Sequence, residues 1–345
     1  MSSQKTLLTA HCLLLTFHCM KKRYLMAGIG GLAGAAVAYK LITRPRETDW
    51  ETAAKQIHHP ENSRFTEVDG LRIHYQEFGE TSGKPLILIH GYSASTYTWS
   101  FAAPLFASKG FRVFVVDLIG FGLSEKPAWS DYTIDSQARM IVRFMNRVGI
   151  GQAALVGSSY GGAIALSVAL DNPERVGKLV LSGAVCNDEI RNLPLTRIAT
   201  TPFVGEMMTP FLTSSKTYVR ARMRNSFGKP SHHLIDDTRL TSVMQPLQAA
   251  DSHRSLLLTL KNWHAARLER DAKNVAQPTL LLWGEDDRTV PLRNGRFLHR
   301  QIPNSRLIVF KNCGHVPHEE YTSEFVHLVT DFAGAKDESQ DLLEL

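Results

Sequence analysis

The sequence predicts an α/β fold, a mostly parallel central sheet flanked on both faces by helices, with a helical cap inserted between two strands. Three observations predict it. β-type runs alternate with helical ones from about residue 65 onward. The alternation stops between about Cys186 and Gln277, a stretch rich in Met, Phe, Leu and Arg with no convincing strand. It then resumes and closes on a helix. The 345 residues, 43% apolar and 21% charged, can bury one large core or two modest ones. That balance excludes a disordered tail, a collagen-like repeat and a many-span membrane protein.

The first element in chain order is residues 24–39, which carry no charge and follow the basic run Lys21-Lys22-Arg23. As a helix this stretch is roughly 24 Å long at ~1.5 Å per residue. With Leu41 and Ile42, and Lys40 snorkelling, it reaches the roughly 30 Å of a bilayer core. Gly30 and Gly34 form a GxxxG face. Residues 1–43 are therefore expected to anchor the protein in a membrane by one N-terminal helix, with orientation left open by similar positive charge on both sides. The competing expectation is a secretory signal with an Ala36-Val37-Ala38 cleavage site and a secreted or periplasmic product. A buried soluble helix is a third reading, disfavoured by so many small residues. Met20, directly before the basic run, is an alternative start.

Residues 44–64 are polar and read as a linker with a short helix. The first part of the core, 65–185, follows. Strands are expected at 71–78, 85–89, 113–118, 153–156 and 178–181, and helices at 98–107, 134–148 and 161–170. The 134–148 helix shows the 3.6-residue period in Ile134, Ala138, Ile141, Phe144, Met145 and Val148. The cap spans 186–277. The second part of the core, 278–335, holds strands at 279–283 and 307–310 and a closing helix at 323–332. Residues 336–345 form a frayed tail.

The formal charge of +6 is unevenly placed. Lys5, Lys21, Lys22, Arg23, Lys40, Arg44 and Arg46 fall in the first 46 residues, which hold no acid, leaving a net −1 on residues 47–345. A nearly neutral core excludes nucleic acid as a partner. Four cysteines, two of them Cys12 and Cys19, make no disulfide framework. The histidines lack ligand spacing, so no metal or cofactor is expected.

The chemistry concentrates in Val156-Gly157-Ser158-Ser159-Tyr160-Gly161-Gly162, placed after a strand and before a helix. A serine on so sharp a turn needs small residues two positions to either side. Gly157 and Gly161 supply them for Ser159, whereas Ser158 is flanked by Val156 and Tyr160. A serine nucleophile needs a base, and the base needs a carboxylate to orient it. His315 follows the last strand and Asp287 follows the strand before it, at the sheet edge where parallel sheets place their sites. Asp286 and, more weakly, Asp188 compete as the acid. His318, read as a surface or supporting residue, and His90 compete as the base. His90 and Gly91 after the 85–89 strand read as support for a loop that offers the Tyr92 N–H, while the residue after the nucleophile offers the Tyr160 N–H. Two such donors can hold an oxyanion, worth on the order of 3 kcal/mol each.

Together these residues resemble the α/β-hydrolase fold superfamily from about Phe65 to Ala333. The likeness includes Asp117-Leu118-Ile119-Gly120-Phe121-Gly122-Leu123-Ser124, the loop at Asp287 and the G-H-x-P-x-x-E stretch from His315 to Glu320. The fold is implied far more specifically than the substrate. Haloalkane dehalogenases and epoxide hydrolases share the loop after Asp117 but use an aspartate where Ser159 stands, and are excluded. Prolyl aminopeptidase-like members carry GGSWG at the elbow, which this chain lacks. Carbon–carbon bond hydrolases of ring-cleavage pathways usually carry Trp after the histidine and Asn before the nucleophile, where this chain has Val316 and Ser158. They remain an alternative.

The cap supplies Phe203, Met207, Met208, Phe211, Leu212, Met223, Phe227, Met244 and Leu247. Most are expected to join cap to core, and flexible Met side chains would suit an acyl chain. Arg220, Arg222 and Arg224 are expected on a solvated or headgroup-facing side. The plan resembles membrane-anchored monoacylglycerol lipases and lipase-like esterases, which implies a small-molecule ester or lipid as substrate. The expected activity is carboxylic-ester hydrolysis through an acyl-enzyme on Ser159. A non-catalytic small-molecule receptor and an acyl-transferase on the same fold are the other readings, and assembly into a homo-oligomer is left open.

Overall fold

The computed structural model describes residues 50–55, 57–249 and 251–334. The proposed anchor of residues 1–43 and the tail from 336 lie outside them. Among the described residues no helix is long and apolar enough to cross a membrane. The longest, Ile134–Arg147, has 14 residues, roughly 21 Å at ~1.5 Å per residue, against a bilayer core of roughly 30 Å. The expectation of a membrane-anchored protein is corrected to this finding: no described helix spans a bilayer, and the membrane is not carried forward as a partner.

The chain begins with α1 (Trp50–Ala54) and the strands β1 (Ser63–Val68), β2 (Leu71–Phe78) and β3 (Lys84–Ile89). Next come α2 (Ala102–Ser108), β4 (Phe111–Val116), α3 (Ile134–Arg147), β5 (Ala153–Ser158), α4 (Tyr160–Asp171) and β6 (Val176–Ser182). Six helices follow without a strand: α5 (Pro194–Thr200), α6 (Val204–Ser214), α7 (Lys216–Ser226), α8 (Asp237–Leu247), α9 (Ser252–Lys261) and α10 (Ala266–Asp271). The sheet resumes with β7 (Thr279–Gly284), α11 (Leu292–Gln301), β8 (Ser305–Phe310), α12 (Pro317–Glu320) and α13 (Thr322–Gly334).

The eight strands form one sheet in the order β1-β2-β4-β3-β5-β6-β7-β8. β2 runs antiparallel to both neighbours and every other pair is parallel. The unbroken apolar run of β3 has the composition of a strand covered on both faces. Ile87 and Ile89 face a core shared with α3 and α4, while Leu86 and Leu88 face the one built by α2 and α13. α3 starts where the Thr133 hydroxyl accepts the Ser136 N–H at 3.2 Å, with Asp135 in its first turn and Arg147 in its last.

Three elements differ from expectation, one of them α11, where no helix was expected. The helix expected at 98–107 divides into a 3₁₀ turn at Thr96–Trp99 and α2. β1 had no expected strand, because its only apolar residues are Phe65 and Val68, three positions apart and without the alternation of a strand. The helices between β6 and β7 have a small core of their own: Val219, Met223, Phe227, Ile235, Leu240 and Met244, against Val316.

Candidate active site

Ser159 is the single residue between β5 and α4, at φ 54° and ψ −115°. Such a backbone costs a residue with a Cβ about 1–3 kcal/mol, so its surroundings must over-determine it. They do. Its N–H donates to the Ser182 carbonyl at 2.9 Å, and its carbonyl accepts N–H groups from Gly162, Ala163 and Val185. A Cβ at Gly157 would collide with the Gly161 carbonyl, and one at Gly161 with the Ile89 carbonyl. The two small residues are therefore required by the tightness of the turn. Ser158 ends β5 and is buried.

His315 and Asp287 are brought together from the loops after β8 and β7. His315 Nδ1 lies 2.8 Å from Asp287 Oδ2. The other carboxylate oxygen of Asp287 accepts the N–H groups of Thr289 and Val290 at 2.8 and 2.9 Å, which fixes the carboxyl plane. Asp286 is exposed, and Asp188 accepts the Ala265 N–H instead. Gly183, next to the Ser182 that holds Ser159, has φ 51°, and a Cβ there would stand 3.0 Å from His315 Nδ1 and 3.2 Å from Asp287 Oδ2. Ser159 and the His315–Asp287 pair thus flank one glycine. With the proton on Nδ1, such a histidine can take a second proton at Nε2.

Among the described residues His90 bonds not to this pair but within the loops after β3 and β4, and it holds the former. Its Nδ1 lies 2.8 Å from the Gly91 carbonyl and its Nε2 accepts the Leu118 N–H at 3.1 Å. Burial lowers its pKa, the Asp117 charge opposing, so the ring stays neutral as this pairing requires. Asp117 in turn binds His74 and the N–H groups of Thr96 and Leu123. Burial works against its charge, yet the bond from His74 and its other partners hold the carboxyl below its ordinary range. A Cβ at Gly91 would lie 3.2 Å from that of Ser159, so the chain passes the serine closely. The N–H groups of Tyr92 and Tyr160 have no partner among the described residues. The phenols are anchored away, Tyr92 on the Leu256 carbonyl and Tyr160 on that of Tyr132.

Several residues fall elsewhere than expected. His318 is buried rather than superficial: its Nε2 lies 2.9 Å from the Thr98 hydroxyl, and its ring lies 4.2 Å from that of Trp99. Burial, then His315 and Arg239, push its pKa down to about 3. Glu320 was visible only as the end of a motif. It accepts the Gly314 N–H beside His315 at 2.9 Å and the Gly228 N–H after α7 at 2.8 Å. Phe203, Met207, Met208 and Phe211 are exposed on or beside α6, whereas Met223, Phe227 and Met244 fill the insertion's core. The three arginines of α7 do not share a side. Arg220 pairs with Asp237, Arg224 is exposed, and Arg222 turns inward to the Ser93 hydroxyl. A helical reading of Val219, Arg222, Met223 and Ser226 (i, i+3, i+4, i+7) would have found that.

Both described cysteines are buried thiols. Burial raises the pKa of Cys186 to about 12 and that of Cys313 further, so neither is a thiolate. Among the described residues no group of three His, Cys, Asp or Glu is placed to hold a metal ion.

Known proteins resemble this chain in sequence and fold. The chain is 32% identical over 276 residues to a 2-hydroxy-6-oxo-6-phenylhexa-2,4-dienoate hydrolase of Comamonas testosteroni, covering 77% of this chain and 92% of that one. It is 30% identical over 272 residues to an uncharacterised hydrolase, YugF, of Bacillus subtilis, covering 78% and 96%. The meta-cleavage product hydrolase of Pseudomonas fluorescens superposes with a TM-score of 0.67 at 26% identity, covering 79% and 97%. The family described as alpha/beta hydrolase fold matches residues 84–321, from the start of β3 to the end of the α12 loop. With that span, this sheet order and relatives matched almost end to end, the chain belongs to the α/β-hydrolase fold family.

Proposed function

We propose that the protein hydrolyses the carbon–carbon bond beside a ketone in an unsaturated oxo-acid, by acyl transfer through Ser159. What carries the acyl-transfer step is the placement of strained Ser159 and the His315–Asp287 pair about Gly183, with the amides of Tyr92 and Tyr160 unpartnered among the described residues. The substrate class is supported by likeness to hydrolases named for 2-hydroxy-6-oxo-dienoates.

In this reading His315, oriented by Asp287, takes the Ser159 proton as the hydroxyl oxygen attacks the ketone. The oxyanion is held by the two amides. With the 2-enol in its keto form, collapse breaks the bond to the neighbouring CH₂. Its electron pair leaves as a dienolate spread onto the 2-oxo group, which takes the proton from His315. Water, deprotonated at His315, then attacks the acyl-serine and frees the acid and Ser159.

Ester hydrolysis is the second reading, favoured by Val316 and Ser158 where carbon–carbon hydrolases usually carry Trp and Asn. One assay separates the two: loss of the conjugated absorbance of 2-hydroxy-6-oxo-6-phenylhexa-2,4-dienoate, beside nitrophenyl release from esters of two to sixteen carbons. The first reading expects a higher kcat/KM on the dienoate, abolished in Ser159→Ala. Turnover of the esters alone would replace it with the second.

A further inference from the structure

We propose that Arg222, with Ser93 and Tyr218, forms a carboxylate-binding subsite beside the oxyanion amides. The proposal rests on the assignment of the Tyr92 N–H to the reacting carbonyl and narrows the oxo-acid reading to one recognised by its charge. Arg222 lies on α7 between Val219 and Met223, on the stripe that packs inward. Its guanidinium donates to Ser93 Oγ, one residue beyond Tyr92, at a backbone held at φ 55°.

A guanidinium carries five N–H donors. Among the described residues this one has a single side-chain partner, and that partner is an uncharged hydroxyl. The contrast with its neighbours is sharp: Arg220 has Asp237, Arg239 has Glu319, and Arg267 has Asp135 and Asp171. The titratable groups facing Arg222 are the phenols of Tyr218, one turn back on α7, and Tyr92. Burial lowers its pKa, opposed only by those two phenols and by no carboxylate. A half-buried cation without a counter-ion is expensive to keep, and an anionic ligand removes the penalty.

The fork geometry matches the two oxygens of a carboxylate. Ser93, accepting from Arg222, keeps its own proton free to donate to the same group. The other end of α7 meets the catalytic loop, where the His315 N–H donates to the Ser226 carbonyl. One helix therefore carries the proposed charge-reading residue and abuts the proposed base. A neutral glyceride would leave Arg222 unmatched.

The test is titration calorimetry on the full-length Ser159→Ala protein with 2-hydroxy-6-oxo-6-phenylhexa-2,4-dienoate and with its methyl ester. A charge-assisted bond predicts that the acid binds about 10- to 100-fold more tightly than the ester. Adding Arg222→Gln should bring that ratio to within about threefold, and Arg222→Lys should retain part of it. Equal binding of acid and ester, binding of neither, or equal weakening of both in Arg222→Gln would overturn the subsite. The last result would leave Arg222 a packing residue. Failure of the carbon–carbon reading looks different: the acid binds preferentially, yet the unmutated enzyme does not cleave it.

Discussion

Ser159 holds a backbone conformation that a free serine avoids, and the bonds around it keep it there. Glycine tolerates that region without the Cβ penalty. Ser159→Gly and Ser159→Ala both remove the hydroxyl, so both should lose activity by about 10⁴-fold or more. By chemical denaturation the glycine variant should nonetheless be about 1 kcal/mol more stable than the alanine one; equal stability would argue that the turn is unstrained. Asp287→Asn keeps the shape but offers His315 the wrong partner, and should lower kcat by about 10⁴-fold with little change in KM. At this scale the sequence was most legible where the chemistry is local. The glycines around Ser159 and the order of Asp287 and His315 can be read along the chain. Arg222 needed helical spacing to be applied within the expected cap: three arginines at alternate positions look like one polar side until the turn of the helix separates them.

The elements around the site differ in how firmly they are tied. β5 and β6 are held through the sheet, whereas the loop bearing His315 and the end of α7 are joined by the His315 N–H on the Ser226 carbonyl and by one carboxylate, that of Glu320. Burial raises its pKa although the N–H groups of Gly228 and Gly314 oppose this. Glu320→Gln keeps one carbonyl oxygen for two N–H groups, so one tie is lost. A drop of about tenfold in kcat, with global stability lowered by about 1 kcal/mol, is the expected result; an unchanged kcat would show that the tie does not position His315. Met223→Ala, in the small core of the insertion, should cost about 2–4 kcal/mol by denaturation. Legibility here followed covering. β3 and α3 announce themselves because they bury a full face, while β1 carries a half-polar edge pattern. α11 was missed because Arg293, Asn294 and Arg296 interrupt an apolar stripe reduced to Leu292, Phe297 and Leu298.

The whole molecule assembles its site from both sides of the insertion. Ser159 precedes the six helices and Asp287 and His315 follow them, so the site exists only once the sheet has closed. No run of sequence could show that the closed molecule buries a histidine behind the candidate base. His318 faces Thr98, Trp99 and Phe325, with His315, Arg239 and Glu319 the charged or titratable groups about it. Its pKa is about 3 when folded and 6.5 when free. A depressed folded pKa contributes stability that is present above 6.5 and lost as pH falls toward 3, at up to about 1.4 kcal/mol per pH unit. Buried Glu319 and Glu320 have raised pKa values and act in the opposite sense above 4.5, so the raw curve mixes signs. The difference between the native protein and His318→Gln isolates the histidine. Denaturant midpoints from pH 7 to 4 should fall more steeply in the native protein, the two curves converging on the acid side. Parallel curves would mean that His318 is solvated or charged in the fold, and that the ring of Trp99 does not seal it.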